Sequence, residues 1–267
     1  MNLIHADTIT SRNELCKNFS HAQNDVFHCN GMKHAIAKKN RGNSLRLIAT
    51  ALLVFACAKT PAALPSGTWN YSLYLNGNKV GSATISNARE GGHLVSIMEM
   101  TMRAGEVESV SKQIITETAD FKPVKYETYN KIIKGNIVQN INTVATFEGK
   151  KVKLGADGSV QEIEVERDFK LEGNYILAKL IEGKFKKGLK VESYIYEPAI
   201  DPEIPVLMKA YVVGPETVTI AGKRYDAIHV IEYIEKFKSF DMYLDGQGAL
   251  LKAELTMLNM NIQLVRE

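Results

Sequence analysis

Side chains able to do chemistry are few along the 267 residues, and they are unevenly placed. There are three cysteines, Cys16, Cys29 and Cys57, and only His93 and His229 follow the last of them. Cys16, His21, His28 and Cys29 are of zinc-binding types. Their C-x4-H-x6-H-C spacing lacks the closely paired cysteines from which a structural finger starts. His93 follows the Gly91-Gly92 turn, an exposed position. His229 lies between Ile228 and Val230 on an apolar strand, where a histidine is more often a hydrogen-bonded structural residue than a metal ligand. Glu162, Glu164 and Glu166 alternate and so share a strand face. Paired carboxylates can do acid–base work, but a solvated face or a blunted edge strand gives the same pattern. There is no H-E-x-x-H, no G-x-S-x-G, no phosphate-binding glycine loop and no G-x-G-x-x-G after a strand. The expectation is a protein that is not an enzyme, with no catalytic residues, no metal and no cofactor.

Apolar side chains offer more than the reactive ones do. Met98, Met100 and Met102 alternate along one strand and share its face. Thioethers adapt their shape and suit promiscuous apolar surfaces. With Trp69 they are candidate ligand-binding residues for an acyl chain or other amphiphile, and core filling beneath a helix explains them as well. Lys184, Lys186, Lys187 and Lys190 form a basic run that suits either a solvated loop or anionic headgroups.

Cys57 closes an unbroken apolar run from Leu47 that follows Lys33, Lys38, Lys39, Arg41 and Arg46. A basic segment, a short apolar core and small residues at its end make a secretory signal. The run is about half the roughly twenty residues that span a bilayer. Residues 32–56 therefore read as a signal peptide that is removed, and Cys57 as a candidate lipid-attachment residue. Residues 1–31, polar and without apolar periodicity, read as a disordered extension or as sequence ahead of a start at Met32. Residues 57–67 read as a linker, and 68–267 as one β-rich domain. The signal resembles those of bacterial lipoproteins: Ala56 precedes the cysteine and Val54 is an acceptable aliphatic three positions before it, although Phe55 departs from the usual small residue. Ala56-Cys57-Ala58 is also an A-x-A cleavage site, which leaves a soluble periplasmic or secreted protein as the alternative. Resemblance to envelope lipoproteins, together with the absence of Asp at position 58, implies the outer membrane, facing the periplasm.

The elements that must position these residues are strands. Residues 1–56 hold seven Lys and Arg against three Asp and Glu, so the net +3 of the whole chain leaves the remainder at −1. The basic bias belongs to the leader, and nothing in the remainder argues for nucleic acid. No disulfide framework is available after Cys57. Period-two alternation runs through Trp69–Leu75, Val80–Ser86, His93–Arg103, Ser111–Thr118, Pro123–Asn130 and Ile137–Phe147. Asn76-Gly77 and Asp157-Gly158 supply hairpin turns. Ile176, Leu177, Leu180 and Ile181 are at helical spacing, with Gly183 near the end of that segment. Strands resume at Leu189–Tyr196, Leu207–Val213, Thr217–Ile220, Ala227–Ile234, Phe237–Leu244 and Ala249–Leu258, with Asn261–Val265 last. The fold class is mainly β: a curved antiparallel meander, curling into a half-barrel or incomplete barrel, with one short helix on its concave side or across one end.

The stretches GTWNYSLYLNGNKVGSATIS, GKRYDAIHVIEY and YLDGQGALLKAEL resemble a family of exported bacterial β-proteins of unknown function. They are also similar to the β-domain that accompanies some transglutaminase-like envelope proteins. The likeness spans most of residues 67–258. It implies a half-barrel like the lipoprotein carriers of the LolA/LolB type and transfers no catalytic residue. The role expected is an envelope lipoprotein, tied to the membrane by its N-terminal lipid, that binds a lipid or amphiphile in its curved sheet. The alternatives are an anchored structural or protein-interaction module whose partner is an envelope protein, and an enzyme, which would need His229 to meet carboxylates in a cleft.

Overall fold

The computed structural model describes residues 64–267 apart from 157, 172–173, 199–200, 236–237 and 258–259. The expectations placed on residues 1–31 and 32–56, on Cys57 and on the linker as far as residue 63 lie outside the described residues. The first half of the domain comprises β1 (Gly67–Leu75), β2 (Asn78–Glu90), β3 (His93–Ala104), β4 (Val107–Thr118), β5 (Pro123–Lys134), β6 (Ile137–Glu148), β7 (Lys151–Ala156) and β8 (Ser159–Glu164). The helix α1 (Asn174–Glu182) follows. The second half comprises β9 (Lys190–Ile195), β10 (Val206–Ile220), β11 (Lys223–Ile234), β12 (Lys238–Leu244), β13 (Leu250–Met257) and β14 (Met260–Arg266).

All fourteen strands join one antiparallel sheet, ordered β8-β7-β6-β5-β4-β3-β2-β1-β14-β13-β12-β11-β10-β9. Every strand pairs with its sequence neighbour except at one break, between β8 and β9, which stay as the sheet's two edges, while the last strand pairs with the first and joins the two halves. The mainly β meander with one short helix expected from the alternation is the observed architecture, and it is not closed into a barrel. Strand β8 is an edge, and Glu162 and Glu164 on it are exposed, which blunts it against pairing with another chain. At the other edge, Lys170 makes an isolated parallel bridge with Ile195 of β9. Val165, a few residues earlier, donates its backbone N–H to the carbonyl of Lys150 at 2.9 Å. The segment 165–171 thus staples the two margins of the rolled sheet. Around it Ala145, Val152, Val165, Phe169, Leu171 and Tyr196 form one apolar cluster.

The expected strands Leu207–Val213 and Thr217–Ile220 are one strand, β10, with a register shift at Val212/Gly214. Pro215, which has no N–H for the ladder, follows that shift directly and stands opposite Ile228. Gly81 meets a different constraint. A Cβ there would lie 1.9 Å from the carbonyl oxygen of Thr101, so β2 approaches β3 more closely than any other residue allows.

Helix α1 lies inside the roll. Ile176 and Leu180 pack into a cluster with Met208, Val212, Val230 and Leu244, while Ala178 packs against Leu94 and Phe121. Both sides of the helix are therefore buried, which is how a helix of 9 residues, marginal by itself, is held. Gly183 follows it, but the left-handed residues are Lys184 and Phe185. A Cβ at 183 would lie 2.3 Å from Leu189 Cδ2, a side-chain end that can turn aside, and 3.3 Å from the carbonyl oxygen of Lys179. Across the helix, Gly248 (φ 90°) lets the β12–β13 turn press on Leu177 and Ile181.

Candidate functional site

Rolling the sheet around α1 leaves a half-open cavity of about 330 Å³. It is lined by Trp69 of β1, Ile85 of β2, Met98 of β3, Leu177 and Leu180 of α1 and Met242 of β12. Trp69, Ile85, Met98 and Gln113 lie in one cross-strand row, since Trp69 pairs with Ile85, Ile85 with Met98 and Met98 with Gln113. Register alone thus brings residues 44 positions apart onto one surface (69 to 113). At about 30 Å³ per water in the liquid, the space equals roughly eleven waters. That is the lower end of the range of small-molecule pockets, which are mostly apolar with a few polar groups that orient the ligand.

Of the residues expected to bind a ligand, Trp69 and Met98 line this cavity. Met100 and Met102 share the face of Met98 but lie further along β3, half-buried and outside the lining. Trp69 is held from outside. The guanidinium of Arg266 sits 5.9 Å from its ring centroid and donates through Nη1 to Asp245 Oδ2 at 3.3 Å. Asp245 in turn organises the β12–β13 turn, accepting from the N–H groups of Gln247 and Ala249 at 2.9 Å each. Tyr71 donates its hydroxyl to the carbonyl of Leu250 at 3.0 Å. Burial pushes that hydroxyl up to about 12, with Arg266 pulling it back and Asp245 adding to the rise.

Beside the cavity lies a polar group that the sequence reading did not single out. Asn174, the first residue of α1, donates through Nδ2 to Ser96 Oγ and to Glu117 Oε2, at 3.0 Å each. Glu117 is fully buried, and its Oε1 meets no hydrogen-bond partner among the described residues. Burial raises its carboxyl to about 7, against the opposing pull of Asn174, of the Lys170 ammonium and of the Leu171 backbone N–H. A second buried chain runs from Gln113 Nε2 to Tyr126 Oη at 3.2 Å, and from that hydroxyl to Glu197 Oε1 at 2.9 Å. The described residues lining the cavity include no His, Cys or Lys. The lining is mainly apolar, with Asn87, Ser96, Gln113, Asn174 and Glu232 as polar side chains among it.

His229 lies elsewhere, in a mostly buried side-chain position with 14% exposure. Its Nε2 is 2.8 Å from Asp241 Oδ1 and its Nδ1 is 3.2 Å from Glu216 Oε2, with the ring stacked on Tyr243 at 4.8 Å. The two carboxylates arrive by strand pairing from β10 and β12, which no local spacing reveals. Both ring nitrogens face carboxylate oxygens, an arrangement that fixes the imidazole in place. Glu162 and Glu164 stand exposed on the edge strand, and Lys184, Lys186, Lys187 and Lys190 are exposed after the helix.

No family model matches the chain, and no curated protein matches it. Among solved structures it is similar to a beta-barrel-like protein of the domain of unknown function DUF1849 from Brucella abortus. The TM-score is 0.55 and the identity 9%, over 77% of this chain and 98% of that one. Lesser likenesses are to a DUF1089 family protein from Pseudomonas aeruginosa, with TM-score 0.36, 12% identity and cover of 70% and 89%, and to a lipoprotein candidate from Parabacteroides distasonis, with TM-score 0.29, 9% identity and cover of 76% and 94%. At 9% identity the Brucella likeness is one of fold alone, and the fold it shares with this chain is a rolled, barrel-like antiparallel sheet.

Proposed function

We propose that the protein is an envelope lipoprotein, anchored through Cys57 to the periplasmic face of the outer membrane, that holds a lipid or other amphiphile inside the rolled sheet. The observation that carries the reading is the cavity of about 330 Å³ between Trp69, Met98, Leu177 and Met242. Its wall is apolar and soft, as suits a flexible chain of variable length. Export and anchoring rest on the signal-like run before Cys57. The reading of binding rests on the mainly apolar lining; the meeting of His229 with Glu216 and Asp241, the arrangement an enzyme would need, lies away from that lining. Native mass spectrometry of the full chain, extracted gently from membranes, tests it. A retained mass of amphiphile size, released by organic solvent, supports the proposal. A homogeneous ligand-free protein that takes up no added fatty acid or lysophospholipid overturns it.

A second reading is favoured by one observation. Ile137 and Val138, at the start of β6 beside the β5–β6 turn, are 70% and 53% exposed. Two adjacent apolar side chains at a hairpin tip suit a protein partner. Crosslinking that recovers one stoichiometric envelope protein through this tip, with an empty cavity, would favour an anchored interaction module.

A further inference from the structure

The end of the roll that carries α1 has a second hollow, of about 560 Å³, distinct from the apolar cavity. Three turns and segments meet there: the β4–β5 turn, the β6–β7 turn and the stapling segment that bridges to β9. They bring Lys122, Lys150 and Lys170 to its wall, with Asp168 the one acidic lining residue and the hydroxyls of Thr118 and Ser193 beside them.

Two of the three ammonium groups sit in exposed, exchangeable ion pairs, and the third, Lys170, also feels the buried Glu117 carboxyl. Lys122 pairs with Asp120 at 3.0 Å and Lys150 with Asp168 at 3.5 Å, but the two carboxylate side chains are 64% and 96% exposed. Exposed pairs of this kind contribute little and exchange readily. Lys150 Nζ also donates to the neutral carbonyl of Glu166 at 2.9 Å. Lys170 Nζ donates to the neutral carbonyl of Phe121 at 2.9 Å and lies 5.4 Å from the Tyr175 ring. Three ammonium donors around an open hollow, against the one exposed carboxylate of Asp168, match an anion with several oxygens better than a single carboxylate.

The position of the hollow says where such an anion comes from. Leu64, the first described residue, packs with Leu94, Phe121 and Ala178, so the chain enters the domain beside Phe121, the residue whose carbonyl receives Lys170. Cys57 lies seven positions earlier, at most about 25 Å away along the chain. A lipid attached there would bring the lysine-ringed end against the membrane surface, where basic pockets take up headgroups.

We propose that Lys122, Lys150 and Lys170 form a binding site for the phosphate group of an anionic phospholipid headgroup. The membrane as source rests on Cys57 being the anchor; the anion site does not. The test is lysine acetylation of the full chain in neutral detergent micelles, read residue by residue by mass spectrometry, with phosphatidylglycerol or inorganic phosphate added. Phosphatidylglycerol should protect Lys122, Lys150 and Lys170 about fivefold or more relative to exposed Lys134 at the opposite end of the strands. Inorganic phosphate at matched concentration should protect them less. The double variant Lys122→Glu/Lys150→Glu should lose the protection of Lys170. Equal reactivity with and without the lipid overturns the site. Equal protection of Lys134 overturns it too, as general coating. Protection by inorganic phosphate and not by the lipid overturns the headgroup assignment. None of these outcomes bears on the apolar cavity, which is read separately at Trp69.

Discussion

Asn174 Nδ2 donates to Glu117 Oε2 at 3.0 Å, and this bond ties the first residue of the helix to the inner face of β4. The bond is buried, and the other oxygen of the carboxylate is left without a partner. A fully ionised Glu117 would hold a charge away from water with only partial compensation.

The first prediction is a pH dependence. The carboxyl is raised from 4.5 to about 7 in the folded protein. The native state then binds more protons than the unfolded chain between those values, so stability falls as pH rises through them. The loss is on the order of 3 kcal/mol at its fullest, above pH 7. Glu117→Gln should flatten this part of the profile and raise stability at pH 8. Denaturant midpoints measured from pH 4 to pH 8 for both proteins check it.

The second prediction separates two kinds of glycine. At Gly81 a Cβ would meet the backbone of Thr101 and Met102, so Gly81→Ala must push β2 and β3 apart. Overpacking against backbone costs about 3 kcal/mol or more. At Gly77, φ is 81° and nothing lies within 4 Å of a Cβ, so Gly77→Ala meets only the left-handed backbone, about 1 kcal/mol. Thermal denaturation of the two variants should rank them in that order by a wide margin.

The third prediction concerns which methionine touches the ligand. Met98 lines the cavity, whereas Met102, on the same face, does not. Met98→Trp should fill the space and weaken amphiphile retention in native mass spectrometry about tenfold or more, about 1.4 kcal/mol. Met102→Trp should leave retention unchanged. Circular dichroism should show both variants folded.

Much of this architecture is legible in the chain itself, because a half-buried sheet writes its period into the sequence. The alternation places Tyr71 and Leu73 inward and Asn70 outward, though Ser72 is buried with them, and it holds along Met98–Arg103; Ile176 and Leu180 mark the helix. Two things do not show in that way. Glu117 is in phase with Gln113 and Ile115, so its inward position could have been read, but a glutamate near a strand end is ordinarily solvated, and the groups that meet it, Asn174, Lys170 and Leu171, come from far along the chain. His229, Glu216 and Asp241 come together through pairings of β11 with β10 and β12. Local periodicity gives a strand's faces and says nothing of its register with its neighbours. The pairing of β1 with β14, which turns two meanders into one roll, is likewise a long-range event.

Trp69 is the sole tryptophan of the chain and lines the cavity, so its fluorescence reports on that space alone. The decisive measurement is a titration of the full chain, in neutral detergent, with a fatty acid brominated along its acyl chain. An acyl chain lying beside Trp69 predicts saturable quenching complete near one equivalent, reversed by the unbrominated acid. Emission that stays constant, or that falls linearly without saturation, would contradict a lipid-binding interior.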